Sequence, residues 1–592
     1  MPAMRGKRTT AAAIAAITLA LALAVPATAP AAPGSPGQSP TRATVPGSLA
    51  DRYLVRHPSL GPVTAIDISG ESNDRKLLAA TLQGIVNRTT ARIYLLGARS
   101  YDEDKRWLDS YQSRGLITLA ATVDLDTAIH TFKGELTGYV EASSTEPWTI
   151  NTATSVAGAL GGVVATPQTV GVLQSEGLTK LADHRGRWTN AAAAYEAVAK
   201  AYRSKLPYQG VAIQKPDVHA PRDLFVQQGV FVLFTRPAAA DYDRVYDLIE
   251  TFPSKRPVYG YISDTGAEEI EAIVRLSKTG RFLVPTDTTD NLSFHMAVGG
   301  STRAKPAPKP TGVAPCRTDT VNVVISISDG DNLVIPESYY QQGDKWNSPR
   351  RGELPIGWGL SPAASVLMPA IWDTYVGATT AGDEIVDIMG LGYSLPSLMP
   401  DGASFVADNM RLRAAVGLHA HWALDALISR PDAEGWSDIH DAATATGLAP
   451  DGMLLNYETW PGPAWFHTVD GMPVLASRVA RYESTAADIA SQIQTLVDEP
   501  DAQRPLVNFF ASTVWYASYE NLADAMAPLQ AKGVRFLTPS EAFACLPAAP
   551  AKTTTTTTTT ASTTTTPGGA TATTVTPPVP AEAVAGSVSY TG

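Results

Sequence analysis

Four carboxylates stand just past runs of strand-forming residues in the second half of this chain. Asp329 and Asp331 sit in Ser328-Asp329-Gly330-Asp331-Asn332, Asp425 follows a run that holds His419 and His421, and Glu458 sits in Asn456-Tyr457-Glu458-Thr459-Trp460. Carboxyl groups that face one another across a cleft can divide labour, one kept protonated as an acid and the other ionised as base or nucleophile. That division is what cleavage of a glycosidic bond requires. The pair chosen is Asp331 with Glu458, and Asp329 and Asn332 orient the substrate. Asp-Gly-Asp-Asn is also what a tight strand-to-helix turn uses, because Asp and Asn cap helices and Gly accepts positive φ. Both readings stay open at Asp329 and Asp331. Glu458, between Tyr457 and Trp460, is a poor turn residue and leans towards function.

Tryptophan points the same way. Eight of the 11 (346, 358, 372, 422, 436, 460, 465 and 515) fall in this half. Pyranose rings carry apolar C–H faces that stack on aromatic rings, so Trp358, Trp460 and Tyr393 are read as sugar contacts, with Asp425 and Asn456 as polar ones. Burial for packing alone is the rival use of the same rings. His419-Ala420-His421 would direct both rings to one side of a strand, where Asp329 or Asp331 could complete a divalent-metal site for a deacetylase-like enzyme. No helical His-Glu-x-x-His motif accompanies them, and the expectation is no metal and no cofactor. A serine nucleophile elbow, Gly-x-Ser-x-Gly, is absent.

The elements that would carry these residues alternate between strand and helix. Strand-like runs fall at Val321–Ser328, Pro355–Leu360, Ile385–Met389, Leu418–Leu424, Gly452–Tyr457, Met472–Ala476, Pro505–Phe510 and Val534–Leu537, with helical or loop sequence after each. About 230 residues in this rhythm suggest a (β/α)8-like, TIM-type barrel over residues 316–546, whose reactive groups collect beyond the C-terminal ends of the strands. A seven-stranded or incomplete barrel is the rival. Cys316 and Cys545, the only cysteines, bracket the barrel and would tie its ends in an oxidising compartment; two buried thiols are the alternative.

The first half is α/β as well, read as two small subdomains, 48–137 and 138–298. None of its strands is followed by a phosphate-binding glycine fingerprint. A Pro-rich linker, 299–315, separates it from the barrel. At the N-terminus, Arg5, Lys7 and Arg8 precede an apolar run and the small-x-small site Ala29-Pro30-Ala31, so residues 1–31 read as a secretory signal peptide and 32–47 as a linker. Residues 547–592 are Thr/Pro-rich and expected to be a disordered spacer, which suits association with a cell wall. A net charge of −11 argues against nucleic acid or an anionic membrane surface as partner. The expected protein is therefore secreted, acts on a carbohydrate, and has no stable membrane insertion once the leader is removed. A glycan- or wall-binding protein without catalysis is the non-enzymatic alternative.

At Gly390-Leu391-Gly392-Tyr393-Ser394-Leu395-Pro396 the sequence resembles the signature of the GxGYxYP putative glycoside hydrolase family, with Leu395 in place of the second Tyr. Ser328–Asn332, Arg351–Trp358, Ser361-Pro362 and Pro369 are similar to that family's C-terminal domain. Leu82–Arg88 with Arg92-Ile93-Tyr94 resembles its N-terminal domain. The resemblance implies a barrel-like C-terminal domain and a sugar-processing role. In the signature, Gly390 and Gly392 would let the backbone pass close to a ligand or a strand, and Pro396 would fix the exit. Tyr393 would either bind sugar or pack a tight corner.

Overall fold

The computed structural model describes residues 45–262, 266–286, 288–299, 308, 310–423, 436–455, 466–469, 472–478 and 484–547. The expected leader, most of the first linker and all but the first residue of the Thr/Pro-rich tail lie outside these. The first half contains three parallel sheets. In the first, β1 (Ser59–Asp67) lies between β2 (Thr90–Leu96) and β3 (Leu119–Val123). The helix Asn73–Val86 connects β1 to β2, begins at Ser72, whose hydroxyl accepts the Arg75 N–H, and buries Leu77, Leu78, Leu82 and Ile85.

In the second sheet β4 (Tyr139–Glu141) lies between β5 (Val163–Ala165) and β6 (Lys180–Asp183). The third runs in the order β10 (Phe282–Pro285), β9 (Pro257–Gly260), β7 (Val211–Ile213), β8 (Phe231–Leu233). The stretch 138–298, expected as one subdomain, thus holds two sheets. Several of its strands are three residues long, too short for a period-2 pattern to reveal where one sheet stops.

Among the described residues the second half builds one nine-stranded sheet. Its strands are β11 (Asn322–Ser328), β12 (Ile356–Leu360), β13 (Asp383–Ile388), β14 (Ala420–Ala423), β15 (Gly452–Leu455), β16 (Phe466–Val469), β17 (Met472–Ala476), β18 (Asn508–Thr513) and β19 (Arg535–Leu537). All residues of β11 and β12 are buried, as befits parallel strands covered on both faces. The parallel path β17-β15-β14-β13-β12-β11-β18 curls until its ends touch at one bridge, Ser477 with Phe509. β16, which the sequence did not suggest, adds antiparallel to β17.

The curled sheet departs from a regular eight-stranded TIM-type ring at one seam. β18 pairs with β11 directly, over Val323–Ser328. The eighth parallel strand, β19, is only three residues long and takes the other edge of β11, beside Asn322–Val324 and below the point where β12 begins to pair. The seventh strand also starts later than its apolar run suggests. Asn508 opens it, donating to the Asn322 carbonyl (3.2 Å) and accepting from Arg478 (3.0 Å), so a polar residue is satisfied inside the sheet.

After β19 the helix Pro539–Cys545 is fixed by a capping box of Thr538 and Glu541, and Ser540 binds Glu384 of β13. Cys545 is thereby brought to Cys316. The two form the expected disulfide, with Cα atoms 5.0 Å apart and the Cys316 N–H on the Cys545 carbonyl. Closing a loop of 229 residues is worth about 5 kcal/mol in the chain-entropy model. Among the described residues no helix is long and apolar enough to cross a membrane.

Candidate active site

The carboxylates at the end of β11 are held by a loop that leaves the strand abruptly. Asp329 takes φ +72°, and its carbonyl accepts the Asn332 N–H at 3.0 Å. Gly330 is pressed onto the end of β12: a Cβ there would stand 1.7 Å from the Gly359 carbonyl oxygen, so no other residue fits. The Ser361 N–H donates to the Gly330 carbonyl and closes the clamp. Asn332, expected to orient substrate, spends its side-chain oxygen on the Val334 N–H (3.2 Å), which is the turn-capping role left open by the sequence. Asp331 is buried, and its carboxylate receives its own N–H and that of Asn332. Burial, with the nearby charge of Glu269, nonetheless lifts it to about 7. Asp329 is pushed well above the carboxylate range by burial and by the charges of Asp331 and Glu269, against a hydrogen bond from Trp515.

Glu269 belongs to the first half of the chain. It lies in the first turn of the helix Gly266–Lys278, which enters between β9 and β10. The Tyr261 hydroxyl donates to it at 2.6 Å, and Tyr393 hydrogen-bonds it from the other half. Burial raises Glu269 above its ordinary value, and both tyrosines oppose that rise. Sequence reasoning missed this residue because Glu268-Glu269 at a helix start is what the macrodipole alone would favour. The one local hint was the neighbouring loop tyrosine, Tyr261.

The Gly390–Pro396 signature is what brings the two halves together. The Tyr393 N–H donates to the Leu283 carbonyl at 2.7 Å and the Leu283 N–H returns to Tyr393 at 2.8 Å, so the signature adds an antiparallel rung to β10. Gly392, at φ +156°, permits this approach: a Cβ would meet the Leu283 oxygen at 2.6 Å. Gly390 donates to Asp387, the Tyr53 hydroxyl donates to the Leu391 carbonyl (2.7 Å), and the Leu395 N–H donates to Ser277 on the Glu269 helix (2.9 Å). Pro396 opens a single 3-10 turn, Pro396–Leu398. Tyr393 is therefore not a sugar contact. It is buried, its backbone is an interdomain rung and its hydroxyl is turned to Glu269. Leu395 is buried in packing.

The aromatic expectations divide in the same way. Trp358 is fully buried, donates to Asp383 (2.9 Å) and packs against Tyr340, Trp346 and Tyr519, so it is a core residue and not a sugar platform. Trp346, Trp372 and Trp422 are buried too. Trp515, on the loop after β18, is 50% exposed beside Tyr516 (40%), and its ring edge rests on Tyr339 at 4.5 Å. It combines a half-exposed ring with a hydrogen bond to Asp329. Asp425, Asn456, Glu458 and Trp460 lie outside the described residues.

The histidines do not join the carboxylates. His419 precedes β14, at the end of the sheet opposite Asp329, and stands 3.6 Å from Asp451. His421 is buried mid-strand on Asp387 at 2.7 Å. Among the described residues no group of His, Cys, Asp and Glu has the arrangement to hold a metal ion.

Two further groups stand at strand ends beside the Asp329 loop. Ser328 and Thr513 are register partners at the C-terminal ends of β11 and β18, so their side chains share a face of the sheet. Both are fully buried, and neither hydroxyl has a partner among the described residues. A buried hydroxyl without a partner costs about 1–3 kcal/mol, a cost a bound polar ligand would remove.

Comparison with known proteins places this geometry in a family. Residues 319–546 match the GxGYxYP putative glycoside hydrolase C-terminal domain. Residues 62–134 and 136–206 match the first and second N-terminal domains of the same family. Among solved structures, a crystal structure of a putative hydrolase from Bacteroides thetaiotaomicron is similar at 20% identity, over 83% of this chain and 95% of that one, with a TM-score of 0.71. That likeness is one of fold. No curated protein matches the chain.

Proposed function

We propose that this chain, which belongs to the GxGYxYP putative glycoside hydrolase family, is a secreted enzyme that cleaves glycosidic bonds of an extracellular poly- or oligosaccharide. The curled sheet serves as a TIM-type mouth, and the reaction needs no cofactor. Asp331 is the proton donor: its carboxyl, lifted to about 7, is still protonated in a large share of molecules near neutral pH and can release that proton to the leaving oxygen. A second, ionised carboxylate at the same mouth completes the pair, and Glu458 is the sequence candidate for it. Trp515 supplies the ring on which a pyranose stacks. The Thr/Pro-rich tail acts as a spacer towards a cell wall.

The observation that carries this reading is the buried Asp331 on the clamped loop at the end of β11, subject to the charge of Glu269, with Asp329 of the same loop hydrogen-bonded by the exposed Trp515. The test is to incubate the purified protein with a panel of defined oligosaccharides and read products by mass. Wild-type protein is expected to cleave at least one member, with activity falling as pH rises through about 7 and Asp331 loses its proton. Binding with no cleavage across the panel would return the chain to the non-catalytic reading.

A further inference from the structure

We infer that the active site is composite: Glu269, from the first half of the chain, is the second carboxylate that acts with Asp331. The inference rests on the glycosidase reading and assigns a residue within it. Three structural facts lead to it. The first is position. The helix Gly266–Lys278 is tied to the second half at its last turn through Ser277 to Leu395 and at its first turn through Glu269 to Tyr393, and the charge of Glu269 acts on both Asp329 and Asp331 in the loop after β11. The Leu333 N–H on the Pro285 carbonyl (3.0 Å) fixes the same loop to the end of β10.

The second is the way Glu269 is held. Tyr261 and Tyr393, one from each half, both hydrogen-bond its carboxylate. A carboxyl gripped by two hydroxyls is oriented as a base must be. Unlike the sealed carboxylates of the interior, it remains partly open to solvent. The third is the pair Ser328 and Thr513, whose buried hydroxyls at the ends of β11 and β18 have no partner among the described residues and could be satisfied by a hydroxyl-rich ligand.

In the single-displacement form, water oxygen bonds to the anomeric carbon while its proton passes to Glu269. The carbon–oxygen bond breaks with its electron pair on the leaving oxygen, which takes the proton from Asp331. Solvent exchange then returns both groups to their starting states. No oxidant or co-reactant is involved. The assignment also gives the Gly390–Pro396 signature a chemical purpose, since its tyrosine positions Glu269 and its backbone fastens the helix that carries it.

The experiment compares Glu269→Gln, Glu458→Gln and Glu268→Gln on the oligosaccharide that the wild-type enzyme cleaves best. Glu269→Gln is expected to lower kcat by ~10³-fold, within the span of general acid–base catalysis, while Glu268→Gln stays within a few-fold of wild type. Added azide is expected to yield a glycosyl azide with Glu269→Ala and not with Glu458→Ala. An unchanged melting temperature for Glu269→Gln separates lost chemistry from lost fold. The assignment is overturned if Glu269→Gln retains activity within tenfold while Asp331→Asn and Glu458→Gln lose theirs. If the wild-type chain cleaves nothing, the glycosidase reading fails by itself, and the placement of Glu269 is read from the Asp331 carboxyl carbon by NMR. Its titration midpoint should then fall in Glu269→Gln; an unmoved midpoint overturns the inference.

Discussion

Two clusters of three carboxyls lie where the halves of the chain meet, and they have different fates. Asp329, Asp331 and Glu269 stand at the mouth of the curled sheet. Asp104, Asp290 and Glu337 are sealed in the interior, each more than nine-tenths buried. In both clusters burial and like charge push carboxyls upward, Asp331 to about 7 and Glu337 to about 8. The sealed set is answered by the fold itself. Asp104 accepts the Gly97 and Ala98 N–H groups, Glu337 accepts the Asp290 N–H, and the charge of Arg99 faces Glu337. The mouth set borders an exposed tryptophan and buried hydroxyls with no partner among the described residues. A raised carboxyl is therefore not in itself a sign of catalysis; what separates the two is that Asp329 and Glu269 stay partly open beside an exposed tryptophan, although Asp331 is nearly as buried as the sealed set.

This contrast can be broken or sharpened by substitution. The largest effect is expected from Asp331→Asn, which keeps size and polarity but cannot give up a proton: kcat should fall by ~10³-fold or more at unchanged melting temperature. Next is Gly392→Ala. A Cβ driven onto the Leu283 carbonyl should cost ~2–3 kcal/mol of stability by thermal or denaturant unfolding. It should also reduce activity by loosening the Glu269 helix. Trp515→Ala should mainly raise KM, by ~5-fold, as a stacking surface worth about 1 kcal/mol is lost.

The smallest effect on turnover belongs to the sealed cluster, where Glu337→Gln should leave kcat within a few-fold of wild type. Its signature is in stability against pH. The folded Glu337 holds its proton to about 8, whereas the unfolded one releases it near the ordinary Glu value. Between those limits the folded state binds more protons, so stability falls as pH rises through the window. Glu337→Gln should flatten that decline in melting curves recorded from pH 5 to 9. A large loss of turnover in this variant, with stability unchanged, would erase the distinction between the clusters.

Much of the second half was legible because each strand is an apolar run with polar residues at its end. The runs at Val321–Ser328, Pro355–Leu360 and Met472–Ala476 became β11, β12 and β17 with boundaries moved by at most one residue. The cysteine pairing was legible for a related reason, since two cysteines at the borders of one domain have only each other. The sugar contacts were not. Trp358 and Tyr393 have the right chemistry, yet whether an aromatic ring faces a cleft or a core depends on what packs over it, and those partners come from distant segments.

The sequence by itself determined the alternation of strands and helices, the parallel sheet they form, and the placing of Asp329 and Asp331 at a strand end. These follow from periodicity and from the composition of the turn that ends β11, both local properties of the chain. Only the tertiary structure decided that β19 would leave the ring at its seam, that the Gly-Leu-Gly-Tyr segment would fasten two halves together, and that Glu269 would join carboxylates sixty residues away. Each of these is a contact between segments remote in sequence, and its energy appears only when the chain has closed around it.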